Sequence, residues 1–318
     1  MGQLPEILLL GSISRDRIMR YGGDFPEHFQ GNLSSLSLSL LVENLTETCG
    51  GIAANIAYSL ALLKDSSTIL TAVGSDADSY IESLQEMGVN TSKILVSEFP
   101  TASFTCATDK NNRQIGFFYP GAMKEAVKIS LEPWKDKQAL VVQSAHNPDA
   151  MVKHVQEANR LGLTIIYDVG QQVSNVRKED LEKGLDYAEI LMLNEDEMRI
   201  LLERIGRNRA SIERQVPIIL TTLGEKGSII SGKNLSEPIR IPAVKVKQVV
   251  DPTGAGDAYR AGFLYGYRRG WELTTCGQMG SCAASFVVEK SGCQAHSFTK
   301  NEFAHRYSEF YKESIDLS

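Results

Sequence analysis

An α/β fold, with a mostly parallel sheet covered by helices on both faces, is predicted by three observations. Short apolar runs read as buried strands, amphipathic segments separate them, and polar or glycine-rich clusters follow several of the runs. EILLLGSI (6–13) is such a run, closed by Gly and Ser. GGIAANIAYSLALL (50–63) is helical and apolar on more than one side, and STILTAVG (67–74) is extended again, so the chain opens as β-α-β. ALVVQSA (139–145), LTIIYDVG (163–170), EILMLN (189–194) and PIILTTLG (217–224) supply further buried strands. PDAMVKHVQEANRLG (148–162) is a representative amphipathic connection between them.

Two segments break the alternation. SSLSLSLLVENLTE (34–47) has period-two patterning, and TASFTCATDKNNRQIGFFYPG (101–121) reads as two strands joined by the polar turn Asp109 to Asn112. Together they predict a small antiparallel sheet inserted into the α/β body. Patterning alone leaves two roles open for it, a lid over a site or a structural surface that pairs two copies as a homodimer. No internal repeat or low-complexity linker is visible.

Composition narrows the function classes. The 318 residues, 42% hydrophobic and 23% charged, suit one large α/β domain or a domain with an insertion. The balance of 33 basic against 39 acidic residues, without a long Lys/Arg run, argues against a nucleic-acid partner. No apolar run has the length of a membrane span, and MGQLPEILLLGSISRD lacks the features of a signal peptide, so a cytoplasmic protein away from membranes is expected. Cys49, Cys106, Cys276, Cys282 and Cys293 show no C-x-x-C spacing, and the histidines no H-E-x-x-H, so neither a disulfide framework nor a zinc site is indicated.

In open α/β sheets ligands bind beyond the carboxyl ends of parallel strands. The residues there are Ser12 and Asp16; Asp168 with Gln171 and Gln172; NEDE (194–197); TLGEKG (222–227); and VDPTGAGDAYRAGF (250–263). Glycines at a helix start let backbone N–H groups approach an anion, and the helix end adds unpaired donors. Each cluster has a plain structural alternative: Asp257 as an N-cap, NEDE as a solvated helix start, GEKG as a hairpin turn. Their succession supports a site that holds a nucleotide beside a polar acceptor. No G-x-x-x-x-G-K-[ST] occurs, which excludes a P-loop route to ATP.

DPTGAGDAYRAGF, preceded by TLGEKG, NEDE and the early CGGIAANIAYSLALL, resembles the signature set of the ribokinase-like, or PfkB, family of carbohydrate and nucleoside kinases, from Gly11 to about Gly292. The resemblance implies a three-layer α/β/α sandwich with a small β-sheet lid, as one domain over 1–318 with lid segments at about 17–48 and 99–121. It also implies transfer of the γ-phosphoryl of ATP to a hydroxymethyl group, with Mg²⁺ and, in many members, a monovalent cation such as K⁺. Asp257 then matches the base, and the amides of Gly254, Ala255 and Gly256 match the anion hole. Asn194 and Glu197 match an N-x-x-E pattern that acts through water around Mg²⁺. Thr222, Gly224 and Gly227 match the nucleotide-binding turn, and Asp251 the position whose carboxylate or carbonyl lines the monovalent-cation site.

For the acceptor, Ser12, Asp16, Gly50, Gly51 and Asn55 match positions that hold sugar hydroxyls; a carboxylate can accept two bonds from a vicinal diol. GSISRDRIM, FPEHF, SLSLLVENL, FFYPGAM, DVGQQ and DAYRAGF resemble bacterial adenosine kinases more than sugar kinases. Gln171 and Gln172 then belong to the acceptor pocket, and Phe104 and Phe117 are candidates to stack on a base, or else to pack the lid against the body. Arg260 stands where many sugar kinases have a small residue. Three readings result: a nucleoside kinase acting on adenosine or a relative, a sugar kinase acting on ribose or fructose, and a catalytically idle nucleotide-binding protein.

Overall fold

The computed structural model describes residues 4–28, 38–111 and 113–317. In chain order its strands are β1 (Glu6–Leu10), β2 (Ser14–Arg20), β3 (Asn44–Gly50), β4 (Thr68–Leu70), β5 (Ala72–Gly74), β6 (Leu95–Ser97) and β7 (Ala102–Thr108). They continue as β8 (Gln114–Tyr119), β9 (Ala139–Gln143), β10 (Thr164–Tyr167), β11 (Ala188–Asn194), β12 (Ile218–Thr222), β13 (Ser228–Ser231) and β14 (Ile239–Ile241). The helices are α1 (Phe25–His28), α2 (Ile52–Leu62), α3 (Asp78–Glu86), α4 (Pro148–Arg160) and α5 (Lys178–Tyr187). After them come α6 (Glu195–Ile205), α7 (Arg209–Glu213), α8 (Ala255–Tyr267), α9 (Leu273–Val287) and α10 (Lys300–Tyr311).

Eight strands form the main sheet in the order β14-β13-β12-β11-β10-β9-β1-β4. The run from β12 to β4 is parallel, and β13 and β14 close one edge antiparallel. Because strand side chains alternate, successive residues enter two different cores. Ile7 and Leu9 of β1 join one core while Leu8 and Leu10 join the other, and Ile190/Met192 against Leu191/Leu193 of β11 repeat the split. The first core is closed by α2, α3, α8, α9 and α10, the second by α4 to α7. Strands buried on both faces explain the continuous apolar runs.

The small sheet has the order β3-β2-β7-β8. Its outer pairs are antiparallel, while its central pair β2/β7 is parallel. The expected hairpin of β7 and β8 is present, although Asn112 of its turn lies outside the described residues. The expected strand over 34–47 is corrected: 34–37 lie outside the described residues, 38–43 form no strand, and β3 begins only at Asn44. Its partner β2 is SRDRIMR, whose charged, mostly exposed side chains hide a strand made by main-chain pairing. STILTAVG also divides at the fully buried Thr71, with β4 in the main sheet and β5 pairing with β6. Among the described residues, no helix is long and apolar enough to cross a membrane.

Candidate active site

Since β1, β9, β10, β11 and β12 run parallel, their carboxyl ends share one edge of the sheet, and α8 begins near it. Gly254 is the N-cap of α8 in the left-handed region (φ 83°), and a Cβ there would lie 3.0 Å from Cys293 Cα. Asp257 is therefore the third helical residue rather than the N-cap. Its Oδ2 accepts a hydrogen bond from Asn55 Nδ2 (2.8 Å), and its Oδ1 lies 3.8 Å from Arg260 Nη1. Burial lifts its pKa to about 6, aided by Asp168 and Glu197 and opposed by Arg260 and Asn55.

Arg260 is anchored on the fully buried Asp168, whose other contact is the Ser144 hydroxyl. The carboxylates around it outweigh burial and push the guanidinium further up, so it stays charged. A Cβ on Gly256 would come within 2.8 Å of Arg260 Nη1, so the guanidinium lies against the first turn of the helix. The Ala255 amide donates to the Pro252 carbonyl (3.1 Å) and so leaves the expected set of three anion-hole donors. First-turn amides lack intrahelical partners, which keeps the Gly256 and Asp257 amides suited to an anion.

The nucleotide-side candidates gather around a cavity of about 950 Å³. Asn194, Thr222, Gly224, Gly227 and Gly256 line it together with Val244, Val249, Ala284 and Val288. NEDE forms a capping box on α6: Glu197 N–H donates to Asn194 Oδ1, and Asn194 N–H to Glu197 Oε2, both at 2.8 Å. Burial, then Asp168, raises the Glu197 pKa. GEKG is the turn of the antiparallel β12–β13 hairpin, so the structural alternative holds at the same time as the site placement. Gly227 is required by packing, since a Cβ would meet the Ile241 carbonyl at 2.0 Å. Asp251 accepts bonds from the amides of Thr253 (2.9 Å) and Gly292 (3.1 Å) through its carboxylate, which fixes the side chain beside the start of α8. Burial would raise its pKa, and the Thr253 and Gly292 bonds outweigh that and lower it.

On the acceptor side the structure redistributes the expected roles. Ser12 caps α2: its Oγ accepts from Ile52 N–H (3.2 Å) and its carbonyl from Ala53 N–H (3.1 Å). Gly51 has φ 99° and packs on Ser12, while Gly50 leaves room for the Asp16 carboxylate. Burial raises the Asp16 pKa against the opposing Ser14 bond (2.8 Å). Register puts Asp16, Thr48, Phe104 and Phe118 opposite one another on one face of the small sheet. Phe117 pairs with Thr105 on the other face, 69% exposed, so Phe104 and Phe117 do not wall one pocket; Phe118 shares the face of Phe104. Gln172 bonds Asn175, and Gln171 is exposed on the turn after β10. Sequence reasoning missed Gln294, which reaches Asn55 from 239 residues away, and Tyr80, which bonds Gln294 in turn; only their polarity marked them.

The chain resembles known proteins over nearly its whole length. It matches the model of the pfkB family carbohydrate kinase over residues 6–300. It is 32% identical over 308 residues to a nucleoside kinase of Methanocaldococcus jannaschii, covering 96% of this chain and 97% of that one. The solved structure of a Burkholderia thailandensis nucleoside kinase in complex with inosine superposes with a TM-score of 0.88 at 29% identity, covering 97% of this chain and 100% of that one. The same enzyme in complex with ADP-inosine gives 0.86 at 30% identity, covering 98% of each chain. A family match spanning both the α8 start and the small sheet carries one conclusion: this chain belongs to the pfkB family of carbohydrate kinases and has the ribokinase-like fold.

Proposed function

We propose that the protein transfers the γ-phosphoryl group of ATP to the 5′-hydroxymethyl of a nucleoside, adenosine or a close relative. The observation that carries the acceptor class is the face on which Asp16, Phe104 and Phe118 stand together, offering a diol acceptor beside two aromatic rings. The nucleoside kinases of M. jannaschii and B. thailandensis support it. A sugar kinase is the second reading, favoured by a 24% identical ribokinase of Lactococcus lactis.

In this reading Asn55 occupies Asp257 Oδ2 and leaves Oδ1 to accept the acceptor's proton. The freed oxygen bonds to the γ-phosphorus as the bond to the bridging oxygen breaks and ADP leaves. A base with a pKa of about 6 is ionised at neutral pH yet close enough in basicity to take a proton in the transition state. First-turn amides of α8 face the charge on the transferring group. Mg²⁺ would be held mainly by phosphates and water, with the buried carboxylate of Glu197 acting on it through water. When bound, that ion neutralises phosphate charge. Asp251 is the residue that would line a K⁺ site.

Five unpaired cysteines, four of them buried, fit a reducing compartment such as the cytoplasm. The outer face of the small sheet exposes Leu45, Phe117 and Tyr119, and a homodimer through that face would cover them. An ATP-consumption screen over nucleosides and free sugars tests the main reading. Turnover far better with a free pentose or hexose than with any nucleoside would replace it with the sugar kinase.

A further inference from the structure

The base is held by an amide whose orientation is itself determined. Asn55 gives Nδ2–H to Asp257 Oδ2 (2.8 Å) and receives Gln294 Nε2–H on Oδ1 (2.9 Å). An ionised carboxylate only accepts, so Nδ2 must face Asp257; Gln294, a donor on the other side, blocks the flipped amide. The second Gln294 N–H goes to the Tyr80 hydroxyl (2.5 Å), which donates in turn to the Gly50 carbonyl (3.1 Å). Gly50 is the last residue of β3. Asn55 and Tyr80 are each 5% exposed, so neither finds a ready substitute in water.

We infer that Gln294 is a positioning residue for phosphoryl transfer: it locks the Asn55 amide toward Asp257 and ties that lock, through Tyr80, to the end of the small sheet. The inference rests on the proposed kinase reaction and extends it to a residue outside the GAGD segment. The contacts run from α2 to the loop after α9, then to α3 and β3, so a change in the small sheet's seating reaches the base through one carbonyl and three side chains, Tyr80, Gln294 and Asn55. The charged groups acting on Asp257 are Arg260 from its own helix, Asp168 after β10 and Glu197 on α6. Asn55 is the neutral donor among them, and its bond favours the ionised base.

The test is Gln294→Met, which keeps the length and removes both donors. With the acceptor that wild type uses best, kcat should fall at least about 10-fold, the scale of a misplaced catalytic group, with KM for ATP little changed. The acid limb of the kcat profile should move to higher pH, because an Asn55 free to turn no longer favours the carboxylate. In an Asn55→Ala background the same substitution should change kcat by less than about 2-fold, since the effect passes through Asn55. Tyr80→Phe, the milder variant should Gln294→Met fail to fold, should raise KM for the acceptor; an unchanged KM detaches the small sheet from the lock. Unaltered kcat and acid limb in folded Gln294→Met, or equal losses in both backgrounds, overturns the inference. Should wild type phosphorylate neither nucleosides nor sugars, the proposed reaction fails by itself. The lock is then judged by NMR titration of the Asp257 carboxyl, where equal curves for wild type and Gln294→Met overturn it.

Discussion

Asp257 joins two properties that a single substitution separates. Its carboxyl has a pKa of about 6 in the fold against an ordinary 3.8, so the folded chain binds more protons than the unfolded one between those values. Stability from this group is therefore lost as pH rises toward 6, and it stays lost above. Asp257→Asn should accordingly be more stable than wild type at pH 7–8, by at most roughly 3 kcal/mol of unfolding free energy, with the gap closing toward pH 4. The same variant should lose at least about 10²-fold in kcat. Calorimetry and steady-state assays read the two separately, and unchanged turnover would remove Asp257 from the role of base. Ser12 makes the opposite case. Ser12→Ala removes the cap on Ile52 N–H and should cost about 1 kcal/mol of stability while leaving acceptor discrimination between nucleoside and sugar intact. A change in that discrimination with unaltered stability would return Ser12 to substrate binding. The GAGD, NEDE and GEKG segments were legible in the sequence because their side chains and turns act within a few residues of one another. The Arg260–Asp168 pair and the Gln294–Asn55 contact were not, since they join positions 92 and 239 residues apart.

Secondary structure followed the same division. Buried parallel strands such as EILLL and AEILMLN declare themselves, because both faces must be apolar. SRDRIMR did not, because β2 is held by its neighbours' backbones and its side chains are largely in water. The faces of β7 and β8 were equally hidden, for FFY alternates without saying which ring turns inward. Register puts Phe104 and Phe118 on one face and Phe117 on the other, and so separates two variants. Phe104→Ala should lose roughly 1–3 kcal/mol of nucleoside binding by the scale of base–aromatic stacking, and a free sugar much less. Phe117→Ala should leave the nucleoside-to-sugar ratio of kcat/KM unchanged, since its ring is on the outer face. Equal effects of Phe104→Ala on both acceptors would refute stacking. Gly116 offers a second handle: the Phe104 ring lies over it, and a Cβ would meet Phe104 Cε2 at 2.8 Å. Gly116→Val should displace the ring and raise KM for a nucleoside without altering KM for ATP.

At the scale of the whole molecule, the outer face of the small sheet predicts association. Phe117→Asp, placing a charge where 69% of the phenylalanine is exposed, should convert a dimer to monomers in sedimentation; a wild type already monomeric at assay concentration rejects that surface. The seating of the small sheet has a different use. Ser14, its first residue, is paired in register with both Gly50 and Ala102, and Ser103 with Tyr119, so its entrances and exits stand side by side. Pro100 and Gly121 are likewise adjacent, as the bond from Ala122 N–H to the Pro100 carbonyl (2.8 Å) shows. Neighbouring strand residues are only about 5 Å apart, a gap that two or three residues span. The chain can thus be cut and rejoined twice, Ile13 to Gly51 and Pro100 to Gly121, removing the small sheet as a cassette while every strand of the main sheet keeps its order. A cassette that leaves so cleanly can also be exchanged, and grafting the corresponding segments of a sugar kinase should carry acceptor choice with them while the nucleotide cavity stays as it is.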